Sequence, residues 1–158
     1  MGLAHAERLA ADARSTLVGL YDSDHETAVQ LRDRFAPDAP VFESAEDAFA
    51  QSKADAAVIC TPTSVHAAQV RAAATHDLHV LCEKPLGATR DEIIGLIDLS
   101  QSLSNLHFML GYQRRFWSIY QRMKAEVESG QWGNIVGVTA VNTERWQQTI
   151  AGTWRDDP

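Results

Sequence analysis

An acid, a base and a proline stand in a row at Glu83-Lys84-Pro85, directly behind the apolar run His79-Val80-Leu81-Cys82. The run reads as the end of a buried strand, and polarity changes abruptly where that strand must stop. In an open parallel sheet, ligands gather beyond the carboxyl ends of the strands. An ionisable pair at such an end is therefore where chemistry is expected. Pro85 fixes its own φ and biases Lys84 away from helical backbone, which aims the lysine. In a buried setting, a lysine there can hydrogen-bond a substrate hydroxyl or carbonyl and share in proton transfer. Lys84 is the catalytic candidate. The bland alternative is a solvated turn with a surface ion pair.

Asp22 closes another apolar run, Leu17-Val18-Gly19-Leu20-Tyr21. An acid at the end of the second strand of a mononucleotide-binding unit can accept hydrogen bonds from an adenosine ribose. Its usual companion is a glycine-rich loop about 20 residues earlier. Only Gly2 stands there, twenty positions before Asp22, in the place of the last glycine of such a loop. The alternative for Asp22 is an ordinary cap. Thr61-Pro62-Thr63 follows the run Ala56–Cys60, and with His66 it can wall a nucleotide at the same sheet edge, Thr63 capping the next helix. A plain N-cap and a first-turn histidine are the competing readings. Arg115, beyond the last sheet strand, can orient a polar substrate or the cofactor, while the Arg114-Arg115 pair also suits a solvated interdomain turn. The other histidines show no ligand spacing with each other or with the cysteines, so no metal site is expected.

The elements that must position these groups alternate. Residues 1–10 read as a helix with Leu3, Ala6, Leu9, Ala10 and Ala13 on one face. Leu17–Tyr21 reads as a strand, Ser23-x-x-Glu26 as a capping box opening a helix, and Pro40–Phe42 as a short strand. Ser44-x-x-Asp47 opens another helix, and Ala56–Cys60 is a strand covered on both faces. A helix spans 65–74, His79–Cys82 is the strand before Lys84, and Thr89-x-x-Glu92 caps the next helix. His107–Gly111 is the last strand of the set. This β-α alternation predicts a doubly wound parallel α/β sheet lacking its first strand. An amphipathic helix over 116–129 follows, stopped by Gly130 and Gly133. From Ile135 to Trp146 the apolar period becomes two, the start of a second α/β domain. The expected division is 1–115 and 116–158.

Composition narrows the function. Lys plus Arg number 14 against 21 Asp plus Glu, a net charge of -7 with no basic run, which argues against nucleic acid or an anionic membrane as partner. No apolar run reaches membrane-spanning length, and no secretory signal opens the sequence. Cys60 and Cys82 read as reduced, buried thiols of a cytoplasmic protein.

Together, Ile59-Cys60-Thr61-Pro62 with His66, His79 through Pro85, and Gly111-Tyr112-Gln113-Arg114-Arg115-Phe116 resemble the Gfo/Idh/MocA family of NAD(P)-dependent oxidoreductases. The resemblance implies a Rossmann-type domain followed by a domain with a mostly antiparallel sheet, and members that usually form homo-oligomers. It implies that Glu83 and Lys84 lie beside the nicotinamide, with Lys84 assisting hydride transfer at a sugar or polyol carbon. Cofactor contacts are implied for Asp22, Thr61, Pro62 and His66, a place near the active site for Arg115, and a cis Lys84-Pro85 bond. Asp22 favours NAD over NADP, because a ribose 2′-phosphate would meet its carboxylate. The family's glycine loop is reduced to Met1-Gly2, with His5-Ala6 following it, and its later catalytic histidine motif would fall beyond Pro158. The chain is thus expected to be an interior piece of a longer enzyme. The alternative is a non-catalytic remnant or interaction module that keeps part of the fold.

Overall fold

Apolar runs flanked by helical segments form the sheet. In the computed structural model, which describes residues 1–141, the helices of the first part of the chain are Gly2–Ala11 (α1), His25–Phe35 (α2), Ala45–Gln51 (α3), Thr63–Thr75 (α4) and Arg90–Ser102 (α5). Strands Ala56–Ile59 (β1), His79–Cys82 (β2) and Phe108–Leu110 (β3) pair in parallel in the order β1-β2-β3. Ile59 lies beside Cys82, and Cys82 beside Leu110, so the three strands end level with one another. α4 packs on β1 and β2, and α5 packs on α4. The core lies between them, built from Ile59, Val80 and Cys82 of the sheet, Ala67, Val70 and Ala73 of α4, and Leu96 of α5. Alanines on the inner face of α4 let the helix sit close to the sheet. Burying Leu96 alone contributes about 1.5–3 kcal/mol.

Two helix starts follow their local signals. Ser44 Oγ accepts the Asp47 N–H at 3.0 Å. Thr89 and Glu92 form a complete capping box, each side chain accepting the other's backbone N–H. The box expected at Ser23 does not form. Asp22 Oδ1 accepts the Asp24 N–H at 3.0 Å, and this side-chain turn holds the chain outside the helix until His25.

The expected strands at 17–21 and 40–42 reduce to one parallel bridge between Leu20 and Val41. Leu20 N–H donates to Pro40 O at 3.1 Å and Phe42 N–H to Leu20 O at 2.9 Å. A strand is held by neighbours on its flanks, and among the described residues this segment has one. On α1, Ala6 is buried, but Leu3 is 49% exposed and Ala10 and Ala13 are also exposed, so the inward face is narrower than its periodicity suggests.

The chain divides into two compact units, Met1–Gln113 and a second beginning at Arg114. A 3-10 turn over Gln113–Phe116 covers the boundary; in the second unit the helix Ser118–Glu128 (α6) comes next, and Gly130 and Gly133 follow with φ of 68° and 74°. Residues 135–141 form no strand, and Val136 and Val138 are exposed. A period-2 pattern specifies faces but needs a partner strand for its ladder, and the described residues of this unit provide none. The remainder of that expected strand, with Thr143, Arg145 and Trp146, lies outside the described residues.

Candidate active site

The ladder carries one residue past β2: Glu83 N–H donates to Ile59 O at 2.9 Å. Its side chain is buried, the residue being 6% exposed. A buried carboxylate is costly unless its oxygens are satisfied. Oε1 lies 2.9 Å from His5 Nε2 on α1, and Oε2 accepts the Lys84 N–H at 3.2 Å. Gly111 supplies the room. Its own N–H donates to Cys82 O at 2.8 Å, and a Cβ there would stand 3.1–3.2 Å from the three carboxyl atoms. One side chain thus ties together α1, the end of β2 and the end of β3.

Lys84 follows, with a cis peptide bond to Pro85. The lysine is exposed, not buried as expected, because the turn carries it past the edge of the sheet, where no described residue covers it. It projects from the level at which the three strands end, the edge where an open parallel sheet receives its ligand.

Thr61 and Pro62 leave β1 at the same level. Thr61 Oγ1 donates to Gln69 Oε1 at 2.8 Å, and Pro62 is the N-cap residue of α4. Thr63 is the first helical residue and does not cap. His66, in the first turns of α4, is 1% exposed. Its Nδ1 lies 2.7 Å from Pro85 O and its Nε2 2.7 Å from Thr61 O. With each nitrogen 2.7 Å from a backbone carbonyl, His66 turns no polar side-chain atom outward, unlike the direct cofactor contact expected of it.

Gly2 opens α1 beside β1, where an added Cβ would lie 4.0 Å from Cys60 Cβ. No side chain caps this helix, so its first N–H groups form a donor set at the C-terminal end of the sheet, which fits an anionic pyrophosphate. Asp22 is exposed in its own turn, and no hydrogen bond joins it to the Glu83 cluster. Arg115 belongs to the second unit, where its guanidinium lies over the Phe116 ring at 5.9 Å. Among the described residues no group of three or more His, Cys, Asp or Glu side chains could hold a metal ion, and no helix is long and apolar enough to cross a membrane.

Burial pushes the Cys60 thiol up to about 11 and the Cys82 thiol up to about 12, with the Glu83 carboxylate adding to both. An unfolded thiol ionises near 9.0 and the folded one later, so the folded state holds its proton longer. Stability is unaffected by these groups below about pH 9 and falls as pH rises toward about 11–12. Urea unfolding at neutral and strongly alkaline pH is expected to show this loss, and a Cys60→Ala/Cys82→Ala chain is expected to lose less.

The pattern of the oxidoreductase family with an NAD-binding Rossmann fold, Gfo/Idh/MocA, matches residues 1–112. The chain belongs to this family. As a Gfo/Idh/MocA member it is 35% identical over 101 residues to an inositol 2-dehydrogenase of Corynebacterium glutamicum, covering 64% of this chain and 30% of that protein. It is 34% identical over 136 residues to a D-xylose 1-dehydrogenase (NADP(+)) of Haloferax volcanii, covering 80% and 41%. Its fold matches a myo-inositol dehydrogenase from Lactobacillus casei in complex with NAD(H) and myo-inositol, with a TM-score of 0.78 and 26% identity over 83% of this chain and 39% of that one. The chain therefore spans between 30% and 41% of the length of these relatives.

Three members of this site escaped the sequence reading. His5 lies 78 residues from its partner Glu83, a pairing no local pattern announces. Gly111 was legible as a strand end but not as the space for a carboxylate. Gln69, the partner of Thr61, lay on a helix with no sign of its role.

Proposed function

We propose that this chain forms the cofactor-binding part of an NAD-dependent oxidoreductase that moves a hydride between nicotinamide and a secondary alcohol carbon of a sugar or cyclic polyol. The observation that carries the reading is the Lys84 turn, fixed by Glu83 at the ligand edge of a parallel sheet in a chain of this family. NAD, when bound, supplies the ring that accepts or donates the hydride. The chain's own residues do the rest. The open N–H groups of α1 from Gly2 onward hold the pyrophosphate, and Thr61 and Pro62 wall the nucleotide. Asp22 accepts from the adenosine ribose and repels a 2′-phosphate. Lys84 polarises the substrate oxygen and moves its proton at Nζ. Arg115 orients the substrate or cofactor. Glu83 holds the Lys84 backbone beside the nicotinamide.

Self-association belongs to the same reading. In the second unit Ile119, Met123, Val127 and Trp132 are all exposed, an apolar content suited to contact between copies. Light scattering tests it, and a strictly monomeric chain at high concentration would remove that part.

The deciding experiment titrates NADH and NADPH against the 158-residue chain, following NADH fluorescence, with circular dichroism to establish folding. Saturable binding with NADH tighter than NADPH is the expected result. Asp22→Ala is expected to weaken NADH about tenfold or more, the value of hydrogen bonds to a charged group, and to narrow the preference. A folded chain that binds neither nucleotide would overturn the cofactor reading for this polypeptide and leave the interaction module in its place.

A further inference from the structure

Among the described residues two polar side chains are buried, Glu83 and His66. Glu83 is accounted for by the lysine turn; His66 is not. The β1–β2 ladder ends with the bond from Glu83 N–H to Ile59 O. Beyond it the two chains separate into the Thr61-Pro62 and Lys84-Pro85 turns. Each turn contains a proline, which has no N–H to give to its neighbour. At this level His66 spans the gap, one nitrogen 2.7 Å from Thr61 O and the other 2.7 Å from Pro85 O. Both partners are acceptors, so the ring is the donor wherever a hydrogen bond forms. The ring is itself held by α4, whose Ala67 and Val70 are buried against the sheet. The side chain therefore continues, by other means, the spacing that the ladder sets below it.

We propose that His66 is a positioning residue: it holds the Thr61-Pro62 turn and the Lys84-Pro85 turn at one separation, so that a nucleotide seated on the first is registered against Lys84 on the second. The inference rests on the dehydrogenase reading above for the identity of the ligand, but the link between the turns is a property of the chain alone.

The test uses the 15N-labelled 158-residue chain and ADP, which lacks both the second ribose and the nicotinamide and so has no group that reaches Lys84 through them. In the wild type, ADP is expected to move the amide signals of Thr61 and Lys84 with one common affinity, and the ring nitrogen signals of His66 with them. In His66→Gln, whose single nitrogen can face only one of the two carbonyls, ADP is expected still to move Thr61 while the response at Lys84 is lost. An equal Lys84 response in both chains, or a wild-type response confined to Thr61 or leaving the His66 ring unmoved, would overturn the proposal. Should ADP bind neither chain, the cofactor reading fails and the ligand-free spectra decide the link. His66→Gln must then displace the signals of both turns, and a change restricted to one turn overturns it. Should His66→Gln fail to fold, as judged by circular dichroism, His66→Asn takes its place, and the wild-type ring signals remain decisive.

Discussion

Lys84→Ala is expected to lower turnover on a cyclic polyol by about 10²–10⁴-fold while leaving NADH affinity within a few-fold, the range a positioned acid or base contributes. The split follows from the geometry. The side chain is exposed at the sheet edge, whereas the backbone of residue 84 is held by Glu83 through its N–H. Alanine keeps that N–H, and so keeps the turn. What disappears is the ammonium proposed to polarise the substrate oxygen and carry its proton. Lys84→Arg is expected to rescue little, since a guanidinium stays protonated and cannot deliver the proton. Steady-state kinetics with myo-inositol, beside an NADH titration, separates the two quantities. Unchanged turnover in a chain that is active before substitution would remove Lys84 from the catalytic role.

His66→Leu is expected to lower stability by about 0.5–1.5 kcal/mol for each ring N–H lost to Thr61 O or Pro85 O, both contacts being part-buried. That is a measurable part of the roughly 5–15 kcal/mol that holds a domain together. Leucine fills a comparable volume, so the loss reports hydrogen bonding more than packing. His66→Gln, which keeps an N–H donor, is expected to lose less than His66→Leu. Urea unfolding of the three chains measures it. A midpoint for His66→Leu equal to the wild type would show that Thr61 O and Pro85 O find other donors, and that the ring is dispensable to the fold.

What could be read in advance was what is local. Thr89 and Glu92 cap a helix through neighbours three residues apart, and the apolar runs of β1, β2 and β3 are decided by their own side chains. Where the outcome depends on distant chain, the reading fell short. Leu17–Tyr21 has strand composition, yet its ladder is a single bridge because a ladder belongs to two segments. At Ser23 two local signals competed, and the Asp22 turn prevailed over the capping box. In the site the same division holds. Lys84 announced itself through polarity at a strand end, and that signal concerns three consecutive residues. The partners that organise it did not: His5 approaches from the other end of the unit, and His66 meets one turn 5 residues back and another 19 residues ahead.

The order β1-β2-β3 has a consequence for how the chain acquires its structure. Among the described residues spatial order equals chain order, so each of these three strands lies beside the one that precedes it in the chain. Each pairing nonetheless spans a helix, Ile59 with Cys82 and Cys82 with Leu110, so the ladder is parallel and non-local, the kind of contact that forms slowly. Both turns that would grip a nucleotide, at Thr61 and at Lys84, lie within this stretch. The acid that completes the lysine turn obtains its histidine from much earlier in the chain. Because Glu83 sits one residue past β2, the contact that α1 makes with it depends on a strand whose own pairing is non-local.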